Sequence, residues 1–377
     1  MIRLPEKFDD IRPYYDSEVP AAMERIASDP LLLPVLRFFG KEDEADGVRS
    51  LLRSITTTEQ LQEKIMYPVL RGIISRTVGN FTHEGAEKVC RDRGLLYVSN
   101  HRDIVLDAFL QQLALVENGI PTSHITFGSN LMNPQFVVDT GLSNKMFRTV
   151  RKSTDFQEFL DSSTHLSEYI NYVVSHGESV WIAQRNGRTK DGLDRTEHGL
   201  LRMLMMGDRT RSKLESLGIT PVAVSYQWEP CDILKAVELY RSRGGKPYVK
   251  APGEDLNSII TGIISQKGDV HVAICDTLDF SSMPERLSRA DISEAVAMID
   301  AEIYSSYRLW DTNYAAFDLL NGCLRFEGLY DPCVREKLES KMRADMEKYA
   351  GIDSGELSRI YLGIYAGPVV NSPVALK

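Results

Sequence analysis

Leu95-Leu-Tyr-Val-Ser-Asn100-His101-Arg102-Asp103-Ile-Val-Leu-Asp107 reads as a strand running into a helix. The apolar run Leu95 to Val98, bounded by Gly94 and by Ser-Asn-His, has the length and flanks of a buried strand. The apolar residues Ile104, Leu106, Phe109 and Leu110 that follow have helical spacing. His101 therefore falls at the strand-to-helix turn, the rim of an α/β sheet, where side chains converge on ligands and helix N-termini offer N–H groups to anions.

Outward from this stretch, strands and helices alternate from about residue 81, and this predicts an α/β fold, a mixed sheet flanked by helices. Strands are expected at Leu95–Ser99, His124–Phe127, Met146–Val150, Ser179–Ala183, Pro221–Tyr226 and Val270–Asp276, and the clearest helix runs from Asp155 to about Val174. Residues 1–80 read as a helical N-terminal region, 81–285 as the α/β domain and 286–377 as a mainly helical region packed on it. In the first region Thr56-x-x-Glu59 suggests a capping box for a helix carrying Leu61, Ile65, Val69, Leu70, Ile73 and Ile74, kinked at Pro68. Its apolar stripe suits either a cover over the domain or a lipid-contacting helix. In the last, helices are expected near Ala290–Tyr304 and, with a solvated charged face, near Val334–Tyr349; Gly351, Gly363, Gly367 and Pro368 suggest an irregular tail.

The formal charge of -9 on 377 residues argues against non-specific nucleic-acid binding, and no nucleic-acid partner is expected, so affinity for phosphate must be local. Five widely spread cysteines, without a Cys-x-x-Cys pair, read as reduced thiols in the cytoplasm. No run approaches the roughly 20 apolar residues of a membrane span, which limits membrane contact to the surface.

Four elements carry candidate chemistry. His101 with Asp107 or Asp103 offers a general base whose tautomer a carboxylate fixes. The segment Val180-Trp-Ile-Ala-Gln-Arg185-Asn-Gly187-Arg188-Thr189-Lys190 opens from a strand into a glycine-containing loop with three cations. Arg188 and Lys190 there suit a phosphate, and Gly187 lets backbone N–H groups approach it. Lys145-Met-Phe-Arg148-Thr-Val-Arg151-Lys152 alternates cations with apolar residues, and Ile219 to Pro230 runs from a strand into the aromatic and acidic Tyr226-Gln-Trp-Glu229.

In this order the four elements resemble the sequence blocks of the glycerol-3-phosphate and lysophosphatidic acid acyltransferase family. The first block, Asn-His-x-x-x-x-Asp, is matched by Asn100, His101 and, with one extra residue, Asp107. The cation that ends the second block is available from Arg148, Arg151 or Lys152. The third block lacks the usual glutamate; Trp181-Ile-Ala-Gln-Arg-Asn-Gly-Arg-Thr-Lys190 is more similar to the soluble plant-type glycerol-3-phosphate acyltransferases. Pro221 and its neighbours match the fourth.

The resemblance implies transfer of an acyl group from coenzyme A or acyl carrier protein to a hydroxyl of glycerol-3-phosphate or a lysophospholipid, without a cofactor or metal. His101 would be the base and Asp107 its orienting carboxylate, with Asp103 as helix cap and Asn100 in support. Arg188 and Lys190, with Arg148, Arg151 or Lys152, would hold the acceptor phosphate. Two other readings are a metal-dependent hydrolase built on His101-x-Asp103 and Asp107, and a relative that binds lipid or phosphate without catalysis.

Overall fold

The computed structural model describes residues 2–149, 155–243, 248–373 and 375. Among these, seven strands form one mixed sheet: β1 (Val78–Glu84), β2 (Leu96–Ser99), β3 (His124–Gly128), β4 (Met146–Thr149), β5 (Val180–Ala183), β6 (Ile219–Tyr226) and β7 (Gly268–Ile274), in the order β1-β7-β6-β2-β5-β3-β4. Strands β6, β2, β5, β3 and β4 run parallel, β7 is antiparallel to β6, and β1 is parallel to β7. The C-terminal ends of the central strands thus open on one rim. Residues 150–152, with the candidate cations Arg151 and Lys152, lie outside the described residues.

The N-terminal helices are α1 (Val19–Ser28), α2 (Leu32–Phe38), α3 (Ala45–Arg53), α4 (Thr58–Leu61) and α5 (Tyr67–Thr77). Between and after the strands come α6 (Leu106–Glu117), α7 (Gln135–Ser143), α8 (Phe156–Ser175), α9 (His198–Leu204), α10 (Arg211–Ser216), α11 (Asp232–Ser242) and α12 (Glu254–Ile264). The chain continues through α13 (Arg289–Ser306), α14 (Asp311–Asn321), α15 (Pro332–Met346) and α16 (Ser354–Asn371).

Alternation along the strands sorts side chains to two cores even where both faces are buried. Leu96, Val98, Val180 and Ile182 pack against α8, α9 and α13, whereas Tyr97, Trp181, Val222, Val224 and Tyr226 pack against α5 and α6. The second face carries the site.

Three expectations are corrected here. Val78–Glu84 is a strand rather than the end of the helical region, because its backbone pairs with β7 along the sheet edge. The helix cap falls one residue late: Thr57 accepts from the Gln60 amide at 3.2 Å, and Gln60 rather than Glu59 reaches back to the Thr56 amide at 2.9 Å. Residues 354–371 form a buried helix, not a tail. Gly192, at a φ of 76°, lies against the carbonyls of Gly363 and Ile364, and any side chain at Gly192 or Gly367 would collide with the other backbone. Of the glycines read as breakers, Gly367 is therefore the one whose missing side chain lets α16 dock against Gly192.

Around Pro68 the expected single helix is divided, and Pro68 stands in the first turn of α5. Between α4 and α5 the chain widens into a π-turn, Gln62–Met66, and the Tyr67 amide bonds to the Gln62 carbonyl. Pro68 has no N–H to continue the α-helical ladder, and the wider turn accommodates its ring.

Before β7, Lys267 is buried, and its ammonium donates to Thr77 Oγ1, Ile263 O and Ser265 O at 3.3, 3.2 and 2.6 Å. Burial pushes it down from the usual 10.5 to about 8. Between these values the unfolded chain holds a proton that the folded chain has released, so stability rises with pH across that window, by about 3 kcal/mol in full. Urea unfolding at about pH 7 and about pH 10 should show wild type gaining relative to Lys267→Met; parallel pH profiles would contradict this.

Candidate functional site

Asn100 fixes the strand end that presents His101. Its side chain donates to Val224 O at 2.9 Å and accepts from the Val224 amide at 2.8 Å, which locks β2 to β6. The chain then turns through residues 101–105, and α6 begins at Leu106, so Ile104 precedes the helix and lines the cavities beside His101.

His101 Nδ1 lies 3.0 Å from Asp107 Oδ2. The same oxygen accepts from the amides of Arg102 and Asp103 at 2.6 and 2.8 Å, while Oδ1 accepts from the Tyr226 hydroxyl at 2.8 Å. A carboxylate held by these donors cannot rotate away from the imidazole. With Asp107 accepting, the Nδ1–H tautomer is set and Nε2 becomes the basic nitrogen. Burial, then the charge on Asp107, holds the Tyr226 phenol well above its ordinary range, which keeps it a donor. Asp103 performs a different task. Its Oδ1 accepts from the Val105 and Leu106 amides at 2.9 and 2.8 Å, capping the turn into α6. Helix α12 passes over it at Gly262, where a Cβ would strike Asp103 Oδ2.

Two cavities meet at His101, and His101, Ile104 and Leu131 line both. One, of about 210 Å³, is apolar and is walled by Val105, Phe109, Phe127, Phe136, Trp181, Ile259 and Ile263 among others. The Trp181 ring stands edge-on to the imidazole at 6.2 Å. The other is polar and is lined by Gly187, Arg188, Lys190, Lys250, Asn130 and Asp255. Lys250 pairs with Asp255 at 2.6 Å and Lys190 with Glu238 at 2.7 Å. Burial lowers the Lys190 ammonium, against the pull of Glu238. Arg188 is only 4% exposed, and its Nη1 is buried without a hydrogen-bond partner among the described residues. A buried guanidinium nitrogen left unpaired is costly, and it suits an anion in the cavity. Arg148 is exposed on the edge strand β4 and lines neither cavity.

The loop bearing Arg188 is tied to the histidine turn by the Thr189 amide, which donates to His101 O at 2.8 Å. Beneath both lies a buried ion network. Fully buried Arg102 donates through Nε and Nη2 to Asp194 Oδ2 at 3.1 and 2.5 Å, through Nη1 to Glu229 Oε2 at 3.2 Å, and to the carbonyls of Gly192 and Ile364. Lys235 neutralises the other Glu229 oxygen at 2.5 Å. Arg102 thereby joins the histidine turn, the basic loop, the end of β6 and α16.

Sequence reading missed Tyr226, Lys250 and the network partners Asp194 and Lys235. Tyr226 and Glu229 stand in a stretch already singled out, whereas Lys250 arrives only through tertiary folding. Among the described residues no cluster of three or more His, Cys, Asp or Glu is placed to hold a metal ion, and no helix is long and apolar enough to cross a membrane.

No family model matches the chain, and no curated protein matches it. Among solved structures the chain is similar to the crystal structure of the 1-acyl-sn-glycerophosphate (LPA) acyltransferase PlsC from Thermotoga maritima, with 13% identity and a TM-score of 0.37, over 75% of this chain and 94% of that one. A likeness of that size carries no argument about activity.

Proposed function

We propose that the chain is an O-acyltransferase that moves a fatty acyl group from a coenzyme A or acyl carrier protein thioester to a hydroxyl of glycerol-3-phosphate or a lysophospholipid. The observation that carries this reading is the position of the His101–Asp107 pair where an apolar cavity meets a cation-lined one. The apolar cavity suits the acyl chain, and Arg188 with Lys190 suits the acceptor phosphate. The order of motifs along the sequence supports the same reading.

In this mechanism Nε2 of His101 takes the proton of the acceptor hydroxyl as its oxygen attacks the thioester carbonyl. The C–S bond then breaks, and the imidazolium returns the proton to the departing thiolate. Asp107 holds the ring and stabilises its charge. Base catalysis of this kind supplies about 10²–10⁴ in rate, and anchoring the phosphate adds the benefit of fixed geometry. We take lipid contact to be peripheral and made by α12, whose Leu256, Ile260 and Ile264 are exposed beside the apolar cavity.

Arg188→Ala and Lys190→Ala should raise the acceptor KM by about 10–100-fold, the worth of a charge-assisted hydrogen bond, with a smaller change in donor KM. Initial rates with each substrate varied in turn test this. A shift confined to donor KM would mean that the loop binds the donor's phosphates.

A further inference from the structure

The apolar cavity beside His101 does not end the apolar space. A second chamber, of about 350 Å³, lies among the N-terminal helices and is lined by Ile26, Leu36, Val48, Leu52, Ile65 and Val69 among others. Met66, Phe136 and Thr140 line both chambers and so stand where the two adjoin. All three are only half-buried. Met66 closes the π-turn that precedes Pro68, in a stretch whose backbone already departs from the α-helix. Its unbranched side chain changes shape readily. Phe136 stands at the start of α7 and packs against the N-terminal helical core while facing the histidine chamber. Apolar space left open forfeits packing contacts, and apolar space that adjoins a site through shared lining residues is suited to an extended apolar ligand.

We propose that Met66 and Phe136 form a gate that sets the length of acyl chain the site accepts, and that the N-terminal chamber receives the methylenes beyond it once the gate opens. This rests on the acyltransferase reading and assigns a use to residues 1–80 that their sequence does not disclose. With the gate closed, a chain gains affinity with length only until it reaches Met66 and Phe136. With the gate removed, each further buried methylene adds about fourfold.

The test is calorimetric titration of the full chain with octanoate and stearate, for wild type, Met66→Ala, Phe136→Ala and the milder Phe136→Leu. In the gate variants stearate should bind at least about tenfold more tightly than in wild type, the gain from two methylenes, while octanoate changes little. Adding Val48→Trp, which fills the second chamber, to Phe136→Ala should return stearate to the wild-type value. Stearate affinity unchanged in all gate variants, or octanoate and stearate shifting together, would overturn the gate while leaving the acyl site standing. Absence of binding by either acid to wild type and variants alike would overturn both.

Discussion

His101→Ala should lower kcat for acyl transfer by about 10²–10⁴-fold or more, with little change in the KM of either substrate and cooperative unfolding retained. The side chain is buried at the sheet rim with its ring edge against Trp181, so retained cooperative unfolding is the control that separates loss of the base from loss of packing. Asp107→Asn should come close to the same loss by another route. Asp107 accepts from the Arg102 and Asp103 amides, from Tyr226 and from the imidazole, and an amide has one accepting oxygen where the carboxylate has two. If the amide NH2 is turned to the histidine, Nδ1 must accept, the proton moves to Nε2, and the base is lost. Asp103→Asn keeps a side-chain oxygen for the Val105 and Leu106 amides and should retain most activity. Stopped-time assays of the three variants separate the roles; equal losses at positions 103 and 107 would contradict them.

Arg102→Met should destabilise the fold by about 3–5 kcal/mol, the usual consequence of removing one member of a buried ion pair. Asp194 loses its partner at 2.5 Å, Glu229 keeps only Lys235, and the carbonyls of Gly192 and Ile364 lose their donor. Arg102→Lys should recover only part of this, since an ammonium cannot reproduce the fork that spans Asp194 and Glu229. Because the network holds the loop of Arg188 against α16, acceptor KM should rise in the same variants. Urea midpoints with unchanged slope measure the effect; an unchanged midpoint in Arg102→Met would show that the charges are not coupled to the fold.

The central α/β unit was legible because β2 and α6 have distinct periods and meet at a polar turn. Strand β1 was not. Val78-Gly-Asn-Phe-Thr-His-Glu84 is a partly exposed edge strand that follows α5 without a break, so it lacks the signature of a buried strand. Helix α16 was misread because Gly363, Gly367 and Pro368 are local breakers, and the approach of Gly192, which explains Gly367, is a tertiary contact that no local pattern announces. At the site, the different tasks of Asp103 and Asp107 follow from where α6 begins, at Leu106, which local sequence alone left open. Lys250 comes to His101 from about 150 positions away, and no local pattern announces it. The Arg102 network was hidden for the same reason, since Asp194 and Lys235 look like ordinary surface charges in sequence.

The most direct test of acyl transfer is thiol release from acyl-CoA and acyl carrier protein thioesters, each with glycerol-3-phosphate or lysophosphatidate, for wild type and His101→Ala. Wild type should release thiol only when an acceptor is present, in step with formation of the acylated product, and His101→Ala should release almost none. Thiol release by wild type without any acceptor, or none from any donor and acceptor pair, would contradict the account.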